Sequence, residues 1–171
     1  MKNKGFTVLE LIVTLTIVTI LLTVAVPSFN AMLLDKKLIG AAEKMKADMD
    51  WARTTAIKNN TNIIMNTSIA SPNWCYGFSD GAACDCTVAN NCTVEGITRQ
   101  YNQALLGGTL PSPTLSPNGA FNITFLPRGM LAASVAGVLT MTLNGRTADI
   151  SVSRLGRGNI CSNNLGQFNN C

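Results

Sequence analysis

Phe6 to Val26 is an apolar run of 21 residues broken by a single charge, Glu10. As a helix rising about 1.5 Å per residue it spans roughly 30 Å, the thickness of a bilayer core. Lys2 and Lys4 precede it, so the positive-inside rule keeps the N-terminus in the cytoplasm and sends everything after Pro27 outward. A lone carboxylate in such a segment costs about 2.5–3.5 kcal/mol on insertion scales unless something pairs with it. The natural partner is a new amine, created if the chain is cut just before Phe6. A secretory signal peptide is the competing reading. Its apolar core runs roughly 7–15 residues and ends at small residues; this run is longer, and no A-x-A pattern closes it. A plain membrane anchor leaves Glu10 without a purpose.

From Ser28 to Lys58 the apolar positions Leu34, Leu38, Ala42, Met45, Met49, Ala52 and Ala56 recur in steps of three and four, the spacing of one helix face. Charges fill the other faces. The spacing predicts an amphipathic helix continuous with the membrane segment apart from a disturbance at Pro27. Together they measure about 80 Å. Asn59-Asn60 ends it. A stripe of this kind packs against a core.

The remainder reads as β structure. Candidate strands are Thr61–Asn66, Trp74–Ser79, Ala120–Leu126, Val138–Leu143 and Thr147–Ser153, with Asn144-Gly145 a hairpin signal between the last two. Alternation of Ile123, Phe125, Leu139, Met141, Leu143, Ile150 and Val152 with smaller or polar residues predicts one sheet with a face on the helix. Gly107–Gly119, with three prolines, reads as a loop. Arg154–Cys171 reads as a polar tail pinned by a disulfide. The fold class is α+β: a leader at 1–5, an assembly helix at 6–27, an amphipathic helix at 28–58 and a β-rich domain at 59–171.

The chain has no histidine, which excludes Ser-His and Cys-His catalytic pairs. Its net charge of +4 falls to +2 without Lys2 and Lys4, too little for bulk polyanion binding. No phosphate-binding loop or nucleophile motif occurs, so the sequence points to no enzyme and no cofactor. Cys75, Cys84, Cys86, Cys92, Cys161 and Cys171 all follow the membrane segment, and an even number suits an oxidising compartment. Cys84-Asp85-Cys86 lacks the C-x-x-C spacing of zinc sites, so no metal is expected. Proximity favours Cys161–Cys171 and two bridges among the other four, whose pairing stays open.

Gly5-Phe6-Thr7-Val8-Leu9-Glu10, followed by an apolar helix with Pro27 at its end, resembles the class III signal of type IV pilins and pseudopilins. The resemblance implies a prepilin peptidase that cuts after Gly5 and methylates Phe6. It implies that Glu10 pairs with the N-terminal amine of a neighbouring subunit, and that Pro27 marks a kink or melted stretch. Trp51-Ala52-Arg53-Thr54-Thr55-Ala56-Ile57, Ile123-Thr124-Phe125-Leu126-Pro127-Arg128-Gly129 and Ile150-Ser151-Val152-Ser153-Arg154-Leu155-Gly156-Arg157 resemble the GspH/FimT-like branch. That branch implies an inner-membrane subunit with a periplasmic domain. Its partners would be other pilin subunits through the N-terminal helix and an inner-membrane assembly platform.

The leading expectation is a minor pilin that starts or caps a type IV pilus, the cysteines and Asn-rich tail favouring the pilus over a type II secretion pseudopilus. A third is DNA binding. Some FimT-like pilins bind DNA through Gly-Arg-x-Arg; this chain has Gly156-Arg157-Gly158-Asn159, with Arg154 upstream. The candidates are Arg146, Arg154 and Arg157, since a guanidinium donates two hydrogen bonds to a phosphate. Solvated strand ends explain the same arginines.

Overall fold

The computed structural model describes residues 7–70, 73–103, 114–118, 122–132 and 137–171. Gly5 and Phe6, where the leader cut is expected, lie outside them, as do residues 107–113 and 119 of the expected loop and 120–121 of the expected strand.

Helix α1 runs from Val8 to Asn59 without interruption through Pro27. Thr7 caps its start: the Thr7 Oγ1 accepts from the Glu10 backbone N–H at 3.2 Å, satisfying one orphan donor of the first turn. Asn60, in the left-handed region at φ 50, ends it by donating to the Ala56 carbonyl. In the apolar half Thr14, Thr16, Thr19 and Thr23 turn their hydroxyls onto carbonyls of the preceding turn, at 2.7–3.1 Å. That bonding leaves no free hydroxyl to face lipid. Among the described residues α1 is the one helix long and apolar enough to cross a membrane. The described side chains between Val8 and Val26 are all exposed, whereas Leu38, Ala42, Met45, Met49, Ala52 and Ala56 are fully buried. The stripe read from spacing is therefore the helix's core face.

Strands β1 (Ile63–Ala70), β2 (Asn73–Asp80), β5 (Gln100–Asn102) and β7 (Ile123–Phe125) form an antiparallel sheet in the order β5-β2-β1-β7. Strands β6 (Thr114–Asn118), β8 (Val138–Leu143), β9 (Arg146–Val152) and β10 (Gly158–Cys161) form a second, β10-β9-β8-β6. Strands β3 (Thr93–Val94) and β4 (Ile97–Thr98) make a small separate hairpin. Both larger sheets pack on α1, burying Ile63, Met65, Tyr76, Phe78, Phe125, Leu139, Met141, Ile150 and Val152. Asn144 and Gly145 both have positive φ, as a two-residue hairpin turn requires.

The fold class stands, with three corrections of detail. The expected single sheet is two, because β7 is short and, of the strands among the described residues, pairs with β1 and not with β8. Leu131 bridges between them, pairing with Phe125 and donating its N–H to the Arg154 carbonyl at 3.1 Å. Residues 114–118 of the expected loop are β6. This strand lies at a sheet edge, where proline is tolerated. The expected tail contains β10, which pairs with β9 from Gly158↔Val152 to Cys161↔Asp149. The bridges are Cys75–Cys86, Cys84–Cys92 and Cys161–Cys171.

Candidate functional site

Two regions bear on function: the exposed start of α1 and the end of the domain farthest from it. In the first, Glu10 occupies the third position of the helix, held there by the Thr7 cap. The unpaired amides of a helix N-terminus favour a carboxylate at this position. The Thr-x-x-Glu pattern of a capping box was present in the sequence, and it identifies Thr7 as a residue that positions Glu10.

At the far end, two hairpin turns of the same kind lie side by side. In one, the Leu126 N–H donates to the Met130 carbonyl and the Gly129 N–H to the Leu126 carbonyl, each at 2.8 Å. In the other, the Ser153 N–H donates to the Arg157 carbonyl at 2.9 Å and the Gly156 N–H to the Ser153 carbonyl at 2.8 Å. Gly129 and Gly156 hold the matching left-handed positions at φ 72 and 70. The turns touch there, for a Cβ on Gly156 would stand 2.8 Å from the Gly129 carbonyl oxygen. Arg53 of α1 binds them: its Nε donates to the Gly129 carbonyl at 2.9 Å and its stem lies under Gly156. The three segments that resemble the GspH/FimT-like branch thus meet around one side chain.

Arg154 and Arg157 lie on the second turn and Arg128 on the first, all exposed, and none forms a salt bridge among the described residues. Arg146 is elsewhere. Its Nε lies 3.4 Å from Asp35 and it donates to the Asn164 carbonyl, tying β9 to the start of the domain's helix face. The structure therefore separates Arg146 from Arg154 and Arg157 and puts Arg128 in its place. Asp149 lies near Cys161 and Cys171, but their sulfurs are joined in a disulfide.

An open groove of about 610 Å³ runs between Glu43, Lys46, Ala47 and Asp50 of α1 and Asn159, Ile160 and Phe168. Lys46 and Asp50, one turn apart on α1, pair along the helix at 2.7 Å. Beneath the opposite side of α1, the Tyr76 hydroxyl donates to Asp48 at 2.8 Å, and Lys44 also binds Asp48. Burial, then the Asp48 carboxylate, push the Tyr76 phenol far above its ordinary range.

Residues 41–156 match the family described as Type II transport protein GspH, and residues 1–26 match the prokaryotic N-terminal methylation motif. The Pilin-like protein PilA1 of Thermus thermophilus is 26% identical over 162 residues, covering 94% of this chain and 99% of that protein. The type IV minor pilin FimU of Pseudomonas aeruginosa has a similar fold, with TM-score 0.51 and 18% identity over 73% of this chain and 88% of that one. So does the minor pseudopilin EpsH of the Type 2 Secretion System of Vibrio cholerae, with TM-score 0.51 and 11% identity over 75% and 98%.

Proposed function

This chain belongs to the GspH family of pilin-like proteins, and from that premise we propose that it is a minor pilin, a structural subunit that promotes assembly of a type IV pilus. The observation that carries the reading is the division of α1. One half is bare and apolar with a single carboxylate, Glu10, in its first turn; the other half is buried in the domain. A bare apolar helix suits first a bilayer and then the helices of neighbouring subunits. A prepilin peptidase cuts after Gly5 and methylates Phe6, and the Phe6 amine of one subunit meets Glu10 of the next. Exchanging lipid for neighbouring helices then leaves no unpaired charge. Pro27, which lacks an amide donor, marks where the helix yields during extraction by the assembly platform. The domain lies on the periplasmic side, where three disulfides form.

Glu10→Ala in the full chain tests this. Leader cleavage continues and incorporation into fibres stops; normal incorporation sinks the reading. A type II secretion pseudopilin is the second reading, favoured by the family match and the likeness to EpsH. Deleting the chain separates them, since the first reading expects loss of pili with secretion intact and the second the reverse.

A further inference from the structure

The far end of the domain carries opposite charges on its two sides. Ile63, opening β1, pairs with Asp80 on one flank and with Phe125, just before the arginine turns, on the other. The first flank presents Asp80, Glu95 and the apolar Ile97, all exposed. Glu95 and Gly96 form the β3–β4 turn, which the Asp80 carboxylate holds by accepting the Glu95 N–H at 2.8 Å. The second flank presents Arg128, Arg154 and Arg157 with exposed Met130 and Leu155. No ion pair joins the flanks among the described residues. Arg99, two residues beyond Ile97, has its guanidinium over the Trp51 ring at 4.4 Å.

We propose that the acidic flank of one copy of this chain docks on the arginine flank of a neighbouring copy. It rests on the reading of the chain as a fibre subunit and adds the contact made beyond the membrane helices. The charges are complementary, and each flank has an apolar residue at which to exclude water. Two different patches in contact make a heterologous interface, the kind that propagates around an open helix rather than closing as a dimer. A nucleic acid would gain the three arginines but face Asp80 and Glu95 on the same end, with no exposed aromatic among those turn residues for a base to stack on.

The test uses the full chain in detergent, where fibre assembly does not enter, so that loss of this contact and failure of incorporation are separate results. A photoreactive benzoylphenylalanine replaces Leu155. The expected result is a light-dependent dimer with the cross-link in residues 93–98 of the second copy. The dimer is lost in Arg154→Glu/Arg157→Glu, lost again in Asp80→Asn/Glu95→Lys, and regained when those two variants are mixed. Alkylation showing no free thiol confirms that each variant is folded. A dimer that survives either reversal, a mixture that fails to regain it, or a cross-link elsewhere overturns the proposal. So does duplex DNA shifted at low salt through Arg154 and Arg157 with no dimer, which assigns the arginines to nucleic acid.

Discussion

Arg53 and Gly129 are 76 residues apart, yet the Arg53 guanidinium donates to the Gly129 carbonyl at 2.9 Å and fixes both arginine turns at the end of the domain. The glycines of these turns are set by backbone and by space. Gly156→Ala meets a left-handed φ of 70 and a backbone oxygen 2.8 Å from the new Cβ, whereas Gly145→Ala meets φ 74 with nothing within 4 Å. Gly145→Ala therefore costs about 1–2 kcal/mol, the conformational penalty alone. Gly156→Ala adds about 1–3 kcal/mol of overpacking. Thermal melting of the two full-length variants in the same detergent checks the order; equal midpoints would show that the turns can separate freely.

Gly77 on β2 faces the Cys84–Cys92 bridge. A Cβ there would lie 2.4 Å from the Cys92 sulfur, closer than any real contact, so Gly77→Ala displaces Cys92 and opens that bridge. The expected outcome is two alkylatable thiols per molecule, with Cys75–Cys86 and Cys161–Cys171 intact by peptide mapping. Losing one short-loop disulfide also costs roughly 2–4 kcal/mol. A fully oxidised variant of unchanged stability contradicts the packing.

What the sequence made legible follows from how local each signal was. The helix and its core stripe were readable because seven apolar side chains repeat at helical spacing, and the β8–β9 hairpin because Asn144-Gly145 permits few other turns. Both depend on neighbours in the chain. The split into two sheets was not readable, since it turns on β7 pairing with β1 and not with β8, a choice made across 50 residues or more. β6 was hidden by Pro117, which argues against a strand except at an edge. The Thr7 cap ahead of Glu10 is a local signal as well, carried by the Thr-x-x-Glu pattern. The arginine end was legible only as separate segments. Nothing local shows that Arg146 is taken by Asp35, or that Arg53 draws the turns of Arg128 and Arg154 together.

Tyr76 gives the domain an alkaline limit. Its phenol is fully buried and donates to Asp48, and burial with the nearby carboxylate holds the folded pKa well above the unfolded value. The contribution is complete below the unfolded pKa of about 10 and falls as pH rises above it, by about 1.4 kcal/mol per unit, because the unfolded chain loses a proton that the fold keeps. Tyr76→Phe removes that dependence. It also costs about 1–3 kcal/mol at neutral pH by depriving Asp48 of a donor. Denaturant titrations should therefore show the wild-type advantage shrinking between pH 9 and pH 11, on the order of the slope given. A gap constant across that window would show that the hydroxyl ionises in the fold as it does in the unfolded chain.

Ser162 and the Cys161–Cys171 bridge hold the same C-terminal loop, so their effects must overlap. The Ser162 hydroxyl, in a residue only 2% exposed, donates to the Thr147 carbonyl at 2.6 Å and accepts from the Leu165 N–H at 3.1 Å. It thereby seats Leu165 in the core beside Phe168. The Ser162 N–H reaches the Asn169 carbonyl at 2.9 Å, closing the loop from inside while the disulfide closes it from outside. Ser162→Ala strips a partner from the buried Leu165 N–H and the part-buried Thr147 carbonyl and costs about 1–3 kcal/mol. Cys161→Ser/Cys171→Ser costs roughly 2–4 kcal/mol. Once either fastening is gone the loop can leave the core, and the second then has less to hold. The triple variant is expected to lose less than the sum, by about 0.5–3 kcal/mol. Limited proteolysis should cut between 162 and 170 in all three variants and not in the wild type. Strict additivity, or a loop that stays protected without Ser162, would mean that the two fastenings act on separate parts of the fold.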